Sequence, residues 1–202
     1  MEFNYPNGRK YRVGPPKKDT HNVKNSITYG KRGMTLEEDL NETNLFYLSQ
    51  GIAVIHKKPT PVQIVQVDYK SRSTAVIKEA YFRQASTTDY NGVFNGKHID
   101  FEAKETQNST SFPLKNFHEH QINHMKNVLN HGGITFVILR FAKTEEIYLM
   151  EGQDLMVYWD RMKGGGRKSI TKEEVIACGH RIEYGFHPRI DYLKTIRHLY
   201  SL

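Results

Sequence analysis

Hydrophobic and charged positions alternate strictly in one stretch near the middle of the chain. From Ile99 to Lys104, apolar residues occupy the odd positions, and two acids and a lysine occupy the even ones. Successive side chains of a strand point to opposite faces, so this pattern predicts a half-buried β-strand with one charged face. Asn95-Gly96 before it predicts a hairpin turn, because a type I′ turn requires positive φ at both positions. With this two-residue loop, Asp89 lies opposite Glu102.

Other periodic segments predict the rest of an α/β fold, a central mixed β-sheet flanked by helices. Thr35 and Glu38 form a capping box, and Gly51 stands where a C′ glycine is expected, so a helix is predicted between them. The apolar run 134–141 is typical of a strand inside a sheet, and 146–150 predicts another strand. Three more helices are predicted: one from Asn116, with Glu119 at N3, to Gly132-Gly133; one capped by Thr171 with Glu174; and one capped by Asp191.

A second hairpin is predicted at about residues 57–82. Apolar segments flank the polar tip 70–73, and an isolated hairpin is marginal in water, so we expect it to pack against something, such as another subunit. Its basic residues make it a candidate prong for entering DNA, although an ordinary edge hairpin protected by lysines has the same composition. These residues are Lys57, Lys58, Lys70, Arg72 and Lys78.

The distribution of charge favours a nucleic acid as the partner. The formal net charge is +7 and the pI about 9.3, and an acidic partner suits such a protein. Residues 1–33 hold eight Lys and Arg, Arg32 among them, against Glu2 and Asp19, with no hydrophobic period. We therefore predict a flexible basic N-terminal arm at 1–33 that contacts DNA phosphates, followed by a folded domain at 34–202 that includes the second hairpin. A solvated tail is the alternative interpretation.

Cysteine usage and hydropathy point to an intracellular protein. The single cysteine, Cys178, excludes an intrachain disulfide and is compatible with a reducing cytosol. The longest apolar run, around 136–139, is too short to span a bilayer. We expect a cytoplasmic protein with no membrane partner.

The predicted charged face has the chemistry of a metal site. Directly opposed like charges destabilise a hairpin, so Asp89 and Glu102, with Asp100 on the same face, are best explained by a cation between them. Carboxylate oxygens suit Mg²⁺, and Mn²⁺ can substitute. Lys104 lies about 6.6 Å beyond Glu102 on that face, where it could hold an activated water or offset developing charge. A solvated face with a Glu–Lys pair is the alternative.

The spacing Asp89…Glu102-Ala103-Lys104 matches the D…E-x-K signature of the PD-(D/E)XK nucleases. Thr88 stands where that superfamily often has proline, in agreement with a narrower family. The chain resembles the RecU family of Holliday junction resolvases in runs that cover nearly its whole length. The runs are 33–41, 56–61, 87–92, 99–106, 111–114, 116–118, 120–121 and 188–192.

The resemblance implies a restriction-endonuclease-like fold with a protruding β-hairpin stalk. It implies a homodimeric, Mg²⁺-dependent endonuclease that resolves four-way DNA junctions by symmetric paired nicks in recombination and repair, with no small-molecule organic cofactor. The metal ligands carry over to Thr87, Asp89, Glu102 and Gln121, and the transition-state stabiliser to Lys104. From the pattern alone, hydrogen bonds to nearby backbone explain Gln121 more simply. Asp100 shares the face, and we expect it only to tune the local field.

Two other functions remain open at this point. One is a non-catalytic DNA-binding or annealing protein that uses the arm and the stalk, and the other is a repair nuclease specific for linear duplex. A zinc protease is excluded, because His120 and His124 have the i, i+4 spacing but Gln121 replaces the catalytic glutamate. We expect these histidines to form a solvated or DNA-facing edge.

Overall fold

The structure is a computed structural model and describes residues 35–69, 71, 74–83 and 87–202. These residues form a six-stranded sheet, two small two-stranded sheets and five α-helices, which confirms the predicted α/β class. The helices are α1 Leu36–Ser49, α2 Glu119–Asn130, α3 Gly152–Lys163, α4 Lys172–Cys178 and α5 Tyr192–Tyr200. The strands are β1 Val54–Lys57, β2 Val62–Asp68, β3 Val76–Phe82, β4 Tyr90–Phe94, β5 Lys97–Thr106, β6 Ser111–Pro113, β7 Ile134–Phe141, β8 Glu146–Glu151, β9 Ser169–Thr171 and β10 His180–Ile182.

The central sheet has the order β1-β4-β5-β7-β8-β10 and is mixed. Strands β5 and β7 are parallel, and the other neighbouring strands of this sheet are antiparallel. The β4–β5 hairpin has the predicted register, with Asn91 opposite Asp100. Its turn residues Asn95 and Gly96 have φ of 46° and 75°, so the predicted two-residue turn is confirmed.

Core side chains lie on both faces of this sheet, which corrects the expected half-buried strand. One cluster includes Phe101 and Phe136 of β5 and β7, and the other includes Val137, the β7 partner of Glu102. Asp100 is only 1 % exposed and Glu102 is fully buried. The physical reason is topological, because parallel strands need a crossover connection. That connection contains α2, which packs against β5 and β7 and covers the charged face.

The caps of α1 and α4 agree with the sequence, whereas the N-cap of α2 is His118, two residues later than the predicted Asn116. Thr35 and Thr171 cap their helices through the predicted boxes, and Gly51 has φ of +65°. Before α2, a 3₁₀ turn occupies Leu114–Asn116 and His118 is the N-cap. Leu114 and Phe117 are both buried, so the chain turns into the core before the helix can start.

The predicted stalk is the hairpin β2–β3, whose strands pair with no other strand in the described part of the chain. All of their residues are exposed except the half-buried Asp68. Lys57 is the last residue of β1 in the central sheet, so the hairpin strands begin at Val62. The predicted arm 1–33 with Arg32, and the tip residues Lys70 and Arg72, lie outside the described residues. Among the described helices, none has the length and apolar character to cross a membrane.

Candidate active site

The two predicted acids meet where β4 begins beside β5. Asp89 immediately precedes β4, and its backbone N–H donates to Glu102 Oε2 over 3.1 Å. The Asp89 carbonyl accepts from the Lys58 N–H, 2.7 Å away, just beyond β1. Asp89 is therefore held from both sides, by β5 and by the residue that follows β1.

Lys104 lies beside both carboxylates. Its Nζ is 2.5 Å from Glu102 Oε1 and 3.9 Å from Asp89 Oδ2. The Glu102 side chain is fully buried, whereas 43 % of the Asp89 side chain is exposed. The Glu102 carboxylate is thus excluded from solvent, whereas the Asp89 carboxylate is accessible to solvent and to an approaching substrate.

The protein environment disfavours the charged form of Glu102. Burial, and after it the nearby Asp89, raise the pKa of its carboxyl, and the Lys104 ammonium lowers it; the net effect is a pKa of about 8. A carboxylate that stays partly protonated near neutral pH gains from any additional positive charge close to it. This environment suits a cation at the open end of the pair.

The donors present fit a hydrated divalent ion better than an ion enclosed by protein. Among the described residues, no three His, Cys, Asp or Glu side chains converge on a metal position. Mg²⁺ keeps several waters and binds through one or two carboxylates plus substrate phosphates, which is what Asp89 and Glu102 offer. Glu102 Oε1 is buried and contacts the Lys104 ammonium. A carboxylate oxygen has two lone pairs, so one of them remains for such an ion.

The other two predicted metal ligands have different surroundings. Gln121 is buried at N3 of α2, and its Oε1 accepts from the His118 N–H over 3.0 Å. That bond is the backbone contact that the pattern alone favoured. Thr87 lies before β4 rather than within it, and its hydroxyl donates to the Thr88 carbonyl over 3.2 Å. Their roles as ligands remain predictions.

His120 lies near Asp89 and Lys104, whereas the sequence predicts for it only a solvated or DNA-facing edge. Burial lowers the pKa of its imidazole, and so do the charges of His118 and Lys104, while the Asp89 carboxylate raises it. The rings of His118 and His120 are stacked, with centroids 5.5 Å apart. Spacing along α2 does not reveal this proximity, because the crossover alone brings the first turn of α2 to the end of β5.

Three basic residues of the predicted DNA prong are described by the structure, and all three are engaged within the protein. Lys78 of β3 pairs with Asp68 of β2, with Nζ 3.2 Å from Oδ2. Lys57 forms an ion pair with Glu37 of α1. Lys58 Nζ donates to Asp100 Oδ2 over 2.9 Å, and its side chain is 20 % exposed. Their role in binding DNA stays a prediction.

Comparison with known proteins identifies the family. The model of the family "Recombination protein U", RecU, matches residues 31–198. The protein named Holliday junction resolvase RecU from Geobacillus sp. (strain WCH70) is 60 % identical over 205 residues, covering 99 % of this chain and 98 % of that protein. Proteins of the same name from Bacillus thuringiensis (strain Al Hakam) and Bacillus cereus (strain AH820) are 56 % identical, with 99 % of both chains covered. The chain belongs to the RecU family.

Proposed function

We propose that this protein is a Mg²⁺-dependent endonuclease that resolves four-way DNA junctions by symmetric paired nicks. The observation that carries the proposal is the Asp89–Glu102 pair beside Lys104, in a chain that matches RecU resolvases over nearly its full length. Its substrate would be intracellular DNA, so we place the protein in the cytoplasm. Mn²⁺ should substitute for Mg²⁺, since both prefer oxygen ligands.

The two acids and Lys104 have different tasks in this proposal. Asp89 and Glu102 would hold the ion, which supplies Lewis-acid polarisation of the scissile phosphate and a lowered pKa for the attacking water. The Lys104 ammonium, beside both carboxylates, would orient that water and offset charge that develops on the phosphate oxygens. Thr87 and Gln121 are the further ligands that we propose from the family resemblance.

We further propose that the active form is a homodimer. Two symmetric cuts in a junction with approximate two-fold symmetry require two equivalent sites, and a two-fold dimer supplies them. The stalk supports an assembled form, because its apolar side chains, such as Val65 and Phe82, are 53 % and 83 % exposed. Partner subunit or DNA would cover part of this surface.

The decisive experiment separates cutting from binding. A labelled four-way junction is incubated with wild-type protein and with Glu102→Ala, in Mg²⁺, in Mn²⁺ and in EDTA, and junction affinity is measured in EDTA. We expect nicking by the wild type in either metal, at least a hundredfold loss in Glu102→Ala, and junction affinities within about threefold of each other. Glu183→Ala is the matched control, because this exposed glutamate pairs only with Arg181 on β10 among the described residues.

The same assay decides between the rival functions. Equal nicking by wild type and Glu102→Ala would contradict an enzyme that uses this pair and favour a non-catalytic DNA-binding protein. A parallel reaction with a linear duplex of the same sequence tests the substrate. Faster cutting of the duplex than of the junction would favour a repair nuclease instead.

A further inference from the structure

A buried carboxylate that the proposed mechanism does not use lies two residues before Glu102 on β5. The Asp100 side chain is 1 % exposed. Its Oδ2 accepts from Lys58 Nζ over 2.9 Å and lies 3.1 Å from His124 Nε2. Its Oδ1 accepts from the Thr88 hydroxyl, which itself accepts from Lys58 Nζ over 3.2 Å. Both carboxylate oxygens of Asp100 therefore have partners.

Stability alone is a poor reason for such a network. Buried ionic groups lose hydration, and well-packed apolar residues of similar volume often stabilise a fold equally well or better. The neighbouring strand shows that the space tolerates apolar groups, since Val137 and Leu139 lie on the same face of β7. A buried network fixes groups in one arrangement more effectively than it stabilises the fold.

The hydrogen-bond partners of Asp100 all belong to segments that carry the proposed site, and a more distant imidazole, His98 with Nε2 3.7 Å from Oδ2, lies on β5 itself. Thr88 is adjacent to Asp89, and Lys58 also holds the Asp89 carbonyl through its own N–H, 2.7 Å away. His124 follows Gln121 by less than one turn of α2. Asp100 and Glu102 project from the same face of one strand.

We propose that Asp100 is a positioning residue for the nuclease reaction. With Thr88, Lys58 and His124, it fixes the segment before β4 against β5 and so sets the separation of the Asp89 and Glu102 carboxylates. The inference rests on the proposed function, because that separation matters for catalysis only if the two acids share an ion. A displacement of about 1 Å at a reacting group can reduce a rate about a hundredfold.

The sharpest variant is Thr88→Val, which keeps the shape of residue 88 and removes only the hydroxyl. Thr88→Ser restores the hydroxyl and is the conservative rescue. Asp100→Asn is the second variant, because its amide cannot accept from Lys58, Thr88 and His124 as the carboxylate does. Asp160→Asn, an exposed position on α3, is the matched control.

Three quantities are measured for each variant: the single-turnover nicking rate at saturating junction and Mg²⁺, the junction Kd in EDTA, and Mn²⁺ binding to the DNA-free protein by electron paramagnetic resonance. For Thr88→Val and Asp100→Asn we expect nicking at least tenfold slower, Mn²⁺ binding about tenfold weaker, and a junction Kd within twofold of wild type. Thr88→Ser should remain within threefold of wild type in every measurement, and Asp160→Asn should equal it.

Several results would overturn the inference. One is wild-type nicking and Mn²⁺ binding in both Thr88→Val and Asp100→Asn. Another is a loss confined to the junction Kd, which would make the network a DNA contact. A third is a Thr88→Ser protein as slow as Thr88→Val. If the wild type cuts no junction, the proposed function fails, yet the Mn²⁺ titration still decides whether this network positions the two acids; absence of Mn²⁺ binding by the wild type would overturn both.

Discussion

At the scale of single residues, Glu102 combines full burial with a nearby like charge. Its ordinary pKa of 4.5 is raised to about 8 in the folded chain, chiefly by burial. Between pH 4.5 and pH 8 the folded protein then binds more protons than the unfolded chain, so its free energy of unfolding falls as pH rises across this window. The site is electrostatically costly whenever no cation is bound.

Glu102→Gln should therefore stabilise the metal-free protein. In EDTA at pH 8 we expect its free energy of unfolding to exceed that of the wild type by about 1–3 kcal/mol, because glutamine carries no buried charge. The difference should shrink towards pH 5, where the wild-type carboxyl is protonated. Urea denaturation at both pH values measures it.

Two controls accompany that measurement. Mg²⁺ should raise the stability of the wild type more than that of Glu102→Gln, because only the wild type retains both carboxylates for the ion. Glu183→Gln, at an exposed position just after β10, should behave as the wild type. A Glu102→Gln protein that is less stable than the wild type at pH 8 would contradict this electrostatic account.

At the scale of elements, contacts along the chain are predictable and contacts across the fold are not. The Asn95-Gly96 turn and the Thr35 cap follow from residues within four positions of each other, and the structure confirms both. The burial of Asp100 and the proximity of His120 depend on the crossover, which lays α2 over β5. The periodicity within β5 or α2 does not show which other element covers it. The expectation that β5 is half-buried, with its charged face in solvent, is therefore wrong.

Strand β4 depends on a glycine where it meets β1. Gly92 lies opposite Ile55, and a Cβ there would be 2.0 Å from the Val54 carbonyl oxygen and 2.6 Å from the Ile55 Cα. We expect Gly92→Ala to lower the free energy of unfolding by about 2–4 kcal/mol, because the clash is with backbone and forces the strands apart. Chemical denaturation gives the value.

The comparison for that variant is Gly51→Ala. Gly51 has φ of +65° and no neighbouring atom within 4 Å of a built Cβ, so alanine there should cost only about 1–2 kcal/mol of backbone strain. Equal losses in the free energy of unfolding of the two variants would show that β1 and β4 accommodate a Cβ at position 92 without a backbone clash. Nicking should fall in Gly92→Ala alone, since β1 leads to the Lys58 N–H that holds Asp89.

At the scale of the whole molecule, the stalk is structurally separate from the central sheet. Within the described residues, strands β2 and β3 pair with each other and with no further strand, and their side chains are almost all exposed. Regions with few buried apolar contacts add little to global stability. These features favour the hypothesis that the stalk contacts another molecule rather than stabilising the fold.

Replacing residues 62–82 with a short Gly-Ser linker should test that character. We expect the melting temperature to change by no more than about 3 °C, because the replaced strands contribute little buried surface. Affinity for a four-way junction should fall at least tenfold, while affinity for linear duplex changes less. Calorimetry and gel-shift titration measure the two effects, and cooperative loss of the central sheet, or unchanged junction affinity, would refute the assignment of the stalk to junction binding.

The short hairpin that joins Asp89 to Glu102 also has a consequence during synthesis. The two residues are 13 positions apart, so both acids of the proposed site are contained in a short segment of the nascent polypeptide. The start of α2, with Gln121 in its first turn and His124 in its second, leaves the ribosome later, and β7 later still. Once this hairpin has formed, the two acids would repel each other before the covering helix can exclude water, and a dissolved divalent cation would shield that repulsion.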